Sequence, residues 1–157
     1  MLKLTRKTEY ALLALRGLGR DPKGLQSVRH IAKHYNLPET LLSKVLQRLK
    51  SGGLVESVKG AGGGYRLAKA HSEILLMDVL TLFAEQTHLV DCMSDEASCR
   101  CEQLSHCDIR QPLETLNALL VAQLTGLNLS AFFHAGPGWK SPASLSIHRS
   151  LEQSTSN

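Results

Sequence analysis

The 157-residue sequence predicts a mainly α fold with a small β-hairpin wing, arranged as a winged helix-turn-helix domain plus a long dimerisation helix. Three observations predict it: helical spacing of apolar residues in three short early segments, a glycine-rich turn between two strand-like pieces, and a long leucine stripe near the end. We expect the domain over residues 1–70, a connecting helix over 71–87, a cysteine-rich loop over 88–108, the dimerisation helix over 109–133 and a disordered tail over 134–157.

Each of the first three helices has a residue suited to begin it. Thr5 is suited to cap a helix over residues 5–19, and Ser27 is suited to cap a second helix. Pro38 breaks the chain after the second helix and fits the first turn of a third, which runs to about Ser51. The residues expected to face inward are Ala11, Leu12, Leu15, Leu18, Val28, Ile31, Ala32, Leu41, Leu42, Val45, Leu46 and Leu49.

Positive charge is concentrated in the first part of the chain. Residues 1–70 hold fourteen Lys and Arg against four acids, a balance of +10, whereas residues 71–157 hold four against ten, a balance of −6. A basic region that contains a polar-faced helix is typical of nucleic-acid binding, so we expect the third helix to enter the major groove. A solvated positive face is the alternative. The expected base readers are Thr40, Ser43, Lys44, Gln47 and Arg48, and the expected phosphate contacts are Arg29, Lys33, Lys50 and Lys69. For Gln47 and Arg48 a solvated position on the helix surface is the alternative.

A glycine-rich hairpin follows the third helix. Residues 54–58 and 64–68 are strand-like, and the segment between them is mostly glycine. A phosphate-binding loop needs Lys-Ser or Lys-Thr after its last glycine and a helix behind it, and neither is present. Lys59 at the thin tip and Arg66 on the returning strand are therefore expected to reach a minor groove or flanking phosphates. A merely flexible hairpin is the alternative.

Two further helices are expected in the second half. Residues 72–86 have a helical apolar pattern behind Ser72, which is suited to cap them. A longer helix is expected to begin near Asp108, which is suited to cap it, with Pro112 in its first turn. The apolar face of this helix either covers its own domain or packs against a second copy of the chain. We favour the dimer, because a protein that binds two-fold symmetric DNA sites needs a second copy of itself. The stripe consists of Ile109, Leu113, Leu116, Leu120, Leu124 and Leu127.

The four cysteines of the chain, Cys92, Cys99, Cys101 and Cys107, lie within one short polar segment. The start of the sequence lacks the apolar core of a signal peptide, and no run is long enough for a membrane helix, so we expect a cytoplasmic protein. Clustered cysteines in a reducing compartment indicate metal, iron-sulfur or redox chemistry more often than structural disulfides. Residues 91–108 hold five carboxylates against Arg100 alone, which disfavours a free thiolate until a metal supplies positive charge. Zinc would accept the same thiolates, although two cysteines one residue apart are too close for a zinc knuckle.

Four motifs together resemble the Rrf2 family of winged-helix regulators, the group that contains IscR, NsrR and RirA. They are the opening Leu-Thr-Arg-Lys-Thr-Glu-Tyr-Ala-Leu, the segment Val-Leu-Gln-Arg-Leu-Lys-Ser-Gly-Gly-Leu-Val, the wing Val-Lys-Gly-Ala-Gly-Gly-Gly-Tyr-Arg-Leu, and the cysteine loop before a long helix. The resemblance covers residues 2 to about 133. It implies a dimeric DNA-binding repressor or activator, and in many members a [2Fe-2S] or [4Fe-4S] cluster on three cysteines and one other ligand.

The resemblance also implies a ligand set. In members of the family the last two of three cysteine ligands are usually separated by five residues. Only Cys101 and Cys107 have that spacing here, and Cys92 completes the set of three. Cys99 departs from the pattern and is either a replacement for Cys101, a fourth ligand or a spectator. Glu9 stands where some members supply an aspartate ligand from the other subunit. It is our first choice for the ligand that completes the set, and Cys99 is the second. His106 and His88 rank third, since the position of the histidine of IscR-like members is Arg110 here.

We therefore expect an iron-sulfur cluster-dependent regulator that binds a palindromic operator in double-stranded DNA as a homodimer and senses iron, oxygen or nitric oxide. A winged-helix repressor that binds zinc or senses redox state by a thiol-disulfide switch is the alternative. An electron carrier would be expected to show the cysteine spacings of ferredoxins, which this chain lacks. Electron transfer would also leave the basic domain without a role. The seven histidines fall in no recognisable catalytic motif, so we do not expect an enzyme.

Overall fold

The computed structural model describes residues 4–21, 24–60, 62–85, 88–93 and 101–135. The chain divides into two compact units. The winged-helix unit comprises residues 3–85 and 128–134, and the cysteine unit contains residues 86–127. The fold is mainly helical with one two-stranded antiparallel hairpin among the described residues, as the sequence predicted.

The winged-helix unit contains α1 (Arg6–Leu18), α2 (Val28–Tyr35), α3 (Glu39–Ser51), β1 (Val55–Val58), β2 (Gly64–Leu67), α4 (Leu76–Leu82) and α6 (Leu129–His134). The cysteine unit contains α5 (Arg110–Thr125) and two short 3₁₀ turns, Asp91–Met93 and Leu104–His106. A third 3₁₀ turn, His71–Glu73, precedes α4.

The three N-terminal helices begin where the sequence predicted. The Thr8 amide donates to Thr5 Oγ1 at the start of α1, and the His30 amide donates to Ser27 Oγ at the start of α2. Asn36 ends α2 in the left-handed conformation, with φ of 51°, and Pro38 directly precedes α3. The resulting core is almost entirely apolar, because α1 and α3 bury their apolar faces against each other. Its fully buried side chains include Leu15, Leu18, Ile31, Leu42, Leu46 and Leu49.

The wing is a short hairpin tied to the chain before α2. β1 and β2 pair in antiparallel register, with Glu56 opposite Arg66 and Ser57 opposite Tyr65. Tyr65 also exchanges two backbone hydrogen bonds of 2.9 Å with Gln26, which adds a third strand-like contact. A Cβ on Gly64 would lie 2.6 Å from the Gln26 carbonyl oxygen. Only glycine therefore allows this close approach of the two backbones.

The connecting helix is shorter than the sequence predicted. Residues 72–86 were expected to be helical behind Ser72, but a 3₁₀ turn occupies His71–Glu73 and α4 spans only Leu76–Leu82. The Asp78 carboxylate accepts from the Leu75 amide at the true start of α4. Ala84, with φ of 54°, ends the helical path soon after Phe83. The short length follows from these local caps at both ends.

The long helix is also divided, which corrects the prediction of one helix over residues 109–133. Asp108 does not cap it, because Ile109 occupies the cap position and no side chain bonds there. α5 ends at Thr125, and Asn128 Oδ1 accepts from the Ala131 amide to begin α6. The Leu129 amide donates to the Ile74 carbonyl at 2.8 Å, which binds α6 into the winged-helix unit. The chain thus leaves this unit after residue 85 and returns to it at residue 128.

No helix in the described ranges is long and apolar enough to cross a membrane. Nearly all of the tail that was expected to be disordered, residues 136–157, lies outside the residues the structure describes.

Candidate nucleic-acid interface and cysteine site

The outward face of α3 forms one side of an open depression of about 550 Å³. Thr40, Lys44 and Gln47 are exposed there, and Ser43 is half-buried. The opposite face of the helix, which includes Leu42 and Leu46, is buried, so the orientation of α3 is fixed by its own packing. Four of the five predicted base readers therefore lie together, and the depression that they line also includes Glu39 and Val28.

Val28 corrects a sequence expectation. It was expected to face inward with Ile31 and Ala32, which are only 1% and 5% exposed, but Val28 is half-buried and lines the depression. It is the first residue of α2, and helical side chains tilt towards the helix N-terminus. Its side chain therefore projects past the packed layer and joins the polar residues of α3.

Arg48, the fifth predicted base reader, is set apart from the other four. Its Nε donates to the Leu82 carbonyl at 2.7 Å, at the end of α4. This bond occupies one of its donors and draws the guanidinium towards α4. Arg48 does not line the depression that the other four share.

The wing carries one exposed cation at its tip and one paired cation on its return strand. Lys59 is exposed beside Gly60 and Gly62, both of which have positive φ. Arg66 donates to Glu56 Oε2 through Nε and Nη2, at 3.0 and 2.9 Å, directly across the hairpin. The Glu56 carboxylate offsets the charge of Arg66, so Lys59 is the stronger phosphate candidate on the wing. The four other predicted phosphate contacts, Arg29, Lys33, Lys50 and Lys69, are all exposed.

A carboxylate that the sequence did not single out joins the end of α4 to the start of α1. Glu85 Oε1 accepts from the Thr5 amide at 2.9 Å, from Thr5 Oγ1 at 2.6 Å, and from Oγ1 of the fully buried Thr8. Burial raises the pKa of Glu85, but these three hydrogen bonds outweigh it and hold the pKa below its usual range. We call this arrangement the Glu85 latch. Glu85 precedes the cysteine unit by one residue, so the latch fixes the point where the chain enters that unit.

Three of the cysteines lie in the described part of the chain, Cys101 and Cys107 on irregular backbone and Cys92 in a 3₁₀ turn. Cys92 is half-buried in the 3₁₀ turn Asp91–Met93. Cys101 is exposed and Cys107 is half-buried, and both carry free thiols. Cys99 lies outside the described residues.

The first turns of α5 flank Cys92. They form a depression of about 370 Å³ whose lining includes Cys92, Arg110, Glu114 and Asn117. Arg110 Nε lies 2.8 Å from Glu114 Oε1, and the Leu89 amide donates to Asn117 Oδ1 at 2.9 Å. The hydrogen bond to Asn117 holds the segment before Cys92 against α5.

The remaining candidate ligands are dispersed. Glu9 is exposed in the first turn of α1, and His106 is exposed. His88 Nε2 is buried, and within the described part of the chain it has no hydrogen-bond partner. Across those same ranges, no three His, Cys, Asp or Glu side chains lie close enough to hold a metal ion. The donor set includes two free thiols, a third cysteine and, among the described residues, an imidazole nitrogen without a hydrogen-bond partner. Thiolates and imidazoles are ligands of iron, zinc and iron-sulfur clusters.

Comparisons with known proteins agree on the kind of protein. The family model for Rrf2, described as an iron-dependent transcriptional regulator, matches residues 4–135. The HTH-type transcriptional regulator NsrR of Shouchella clausii is 33% identical over 131 residues, which cover 78% of this chain and 88% of the relative. The structure of CymR, the global cysteine regulator of B. subtilis, is similar at 25% identity and a TM-score of 0.65, covering 83% of this chain and 95% of that one. IscR of T. potens is similar at 25% identity and a TM-score of 0.63, covering 84% of this chain and 86% of that one.

Proposed function

Because this chain belongs to the Rrf2 family of transcriptional regulators, we propose that it is a homodimeric DNA-binding regulator whose operator affinity depends on an iron-sulfur cluster held by its cysteines. Membership makes it a winged-helix transcriptional regulator rather than an enzyme. The observation that carries the cluster proposal is the coexistence of two features. One is the polar face of α3 formed by Thr40, Ser43, Lys44 and Gln47, which we call the reader face, and the other is the pair of thiols of Cys101 and Cys107 on irregular backbone before α5.

The reader face supports binding in the major groove. Thr40, Ser43, Lys44 and Gln47 share one side of α3, and their hydroxyl, ammonium and amide groups are those that read base edges. Exposed cations on α2 and at the wing tip, Lys33 and Lys59 among them, supply phosphate contacts that set register without reading sequence.

The α5 helix supports dimerisation. None of its 16 residues is buried, although leucines recur along it, and Leu116 and Leu119 are 48% and 45% exposed. Ile109, just before the helix, is 63% exposed. Large apolar side chains exposed in a row indicate a surface that another molecule covers. A second copy of the chain fits this surface best, because a palindromic operator is bound by a two-fold symmetric dimer.

The cluster proposal rests on donor chemistry. Cys92, Cys101 and Cys107 are the proposed cysteine ligands, and Glu9 is proposed as the last ligand, ahead of Cys99, with His106 and His88 after them. Among the described residues the buried His88 Nε2 has no hydrogen-bond partner, which favours His88 over the exposed His106. When bound, the cluster supplies the positive charge that these thiolates need, and its loss to oxygen, nitric oxide or iron scarcity removes that charge. A tenfold change in operator affinity requires a difference of only about 1.4 kcal/mol between the two states.

The test begins with protein purified without air. We expect a coloured protein with equal amounts of iron and acid-labile sulfide, and we expect Cys92→Ala, Cys101→Ala or Cys107→Ala each to abolish the colour. Operator affinity should change at least tenfold when the cluster is removed. Parallel Cys99→Ala and Glu9→Ala variants test the last ligand, because full retention of the spectrum in one of them excludes that residue. Colourless, sulfide-free protein that binds its operator unchanged would refute the proposal.

A thiol-based regulator is the second candidate. It is favoured by the similarity to the cysteine regulator CymR and by the exposed thiol of Cys101. Anaerobic protein that lacks iron, and whose DNA affinity changes on mild oxidation and recovers on reduction, would support this candidate. Binding of one zinc ion with no oxidant response would instead support a zinc-dependent regulator.

A further inference from the structure

The depression beside α3 contains a single apolar residue, Val28, among its lining residues. The N-terminus of α2 is fixed, because Ser27 Oγ accepts from the His30 amide at 3.1 Å, so the position of Val28 is set by the fold. Directly behind it, Ile31 and Ala32 are buried in the core. Val28 is therefore a rigidly mounted apolar group at the edge of the reader face.

The chemistry of the major groove identifies what such a group recognises. The 5-methyl of thymine is the apolar group on the base edges there, whereas the other groups that distinguish the bases are hydrogen-bond donors and acceptors. Adenine, the partner of thymine, presents N6 and N7, which a glutamine amide can contact at both atoms. The depression holds both complements, the isopropyl group of Val28 and the amide of Gln47.

We propose that Val28 is a specificity-determining residue that contacts a thymine methyl, and that with Gln47 it selects an A·T base pair in each half of the operator. This inference rests on the proposed DNA-binding function and deepens it by naming the base pair. Removing the methyl contact should weaken binding about threefold to fivefold per half-site, the effect of one buried methyl group.

The experiment uses the full chain, purified without air, both as isolated and after cluster removal. An operator is first selected from a pool of random duplexes. Each thymine of one half-site is then replaced in turn by deoxyuridine, which lacks only the 5-methyl group, and the same replacement is made in the other half. We expect one symmetric position at which deoxyuridine weakens the unaltered protein threefold to fivefold per half-site. Val28→Ala should bind the thymine operator equally weakly and be insensitive to deoxyuridine there.

Thr40→Ser is the matched control, because it removes the other methyl group of the depression and keeps the hydroxyl. The deoxyuridine effect should persist in Thr40→Ser. Its loss there, with persistence in Val28→Ala, would assign the contact to Thr40 and overturn the proposal. Val28→Thr keeps one methyl group and the side-chain shape, so it should retain part of the effect, and it serves if Val28→Ala unfolds.

The two failures are distinguishable. If no sequence is selected from the pool, the proposed DNA-binding function itself fails. If a sequence is selected but no thymine position shows an effect that depends on Val28, only the present inference is overturned.

Discussion

Replacement of Glu85 by glutamine tests the Glu85 latch with the smallest change in shape. The carboxylate accepts three hydrogen bonds from Thr5 and the buried Thr8, and hydrogen bonds to a charged group contribute about 1.5 to 3 kcal/mol against about 1 for neutral pairs. The site is only partly buried and glutamine keeps one acceptor oxygen, so we expect a net loss of about 1 kcal/mol. For a unit of this size that loss lowers the unfolding temperature by about 4 to 8 °C.

The pH dependence gives the second part of this prediction. The pKa of Glu85 is lower in the folded protein than in the unfolded chain, where it is near the ordinary value of about 4.3. The charged latch therefore stabilises the fold at neutral pH, and this contribution is lost as the pH falls through the folded pKa. Thermal unfolding followed by circular dichroism should show the full difference between the protein and Glu85→Gln from pH 7 to 5. The difference should shrink as the pH falls below about 4.

Glu56→Gln is the matched control. Glu56 also contacts a partner, Arg66, but the pair is exposed on the wing, with side chains 52% and 46% accessible, and such pairs contribute little. We expect a change within about 0.5 kcal/mol. Equal unfolding temperatures for the unaltered protein and Glu85→Gln at pH 7 would refute the role assigned to the latch.

Three other predictions concern the wing, DNA binding by the winged-helix unit, and the proposed dimer contact of α5. Gly64→Ala should destabilise the fold by about 1 to 3 kcal/mol in thermal unfolding, because a backbone oxygen lies 2.6 Å from the added Cβ, and an unchanged transition would contradict this. Gln47→Ala should cost about 1 to 3 kcal/mol at one base pair only, whereas Lys33→Ala should weaken all sequences and reduce the salt slope by about 1. DNA-binding titrations at several salt concentrations distinguish the two variants. The same dependence of affinity on sequence and salt for Gln47→Ala and Lys33→Ala would contradict the assignment of Gln47 to bases and Lys33 to phosphates. Joint replacement of Leu116 and Leu119 by asparagine should shift a dimer towards monomer in analytical ultracentrifugation, and an unaltered dimer would exclude α5 as the interface.

Local signals account for what could be predicted from the sequence. Thr5, Ser27 and Pro38 mark helix starts through contacts within a few residues, and the glycines mark the wing in the same way. The shared face of Thr40, Ser43, Lys44 and Gln47 follows from helical spacing alone.

The features that could not be predicted from the sequence depend on contacts between residues distant in the chain. The leucine stripe continues through Leu124 and Leu127, so its spacing favoured one helix, whereas the bond from Leu129 to Ile74 ends that helix by drawing the chain back. Gly126 and Asn128 were the local signals of the break. The hydrogen bond that Thr5 donates to Glu85 joins residues 80 positions apart, and no periodic pattern in the sequence indicates it. Burial of Val28 was overestimated because a helical pattern does not show that a first residue projects beyond the core.

The return of the chain at Asn128 makes the cysteine unit an insertion with two anchor points. One anchor is the carboxylate at residue 85, and the other is the amide of Leu129 on the Ile74 carbonyl. An insertion closed at both ends behaves as a cassette, since its content can change while the host domain keeps its own folding information. Transplanting residues 86–127 between relatives should therefore exchange the cysteine segment and α5 while the winged-helix unit, with its exposed α3 face, keeps its own fold.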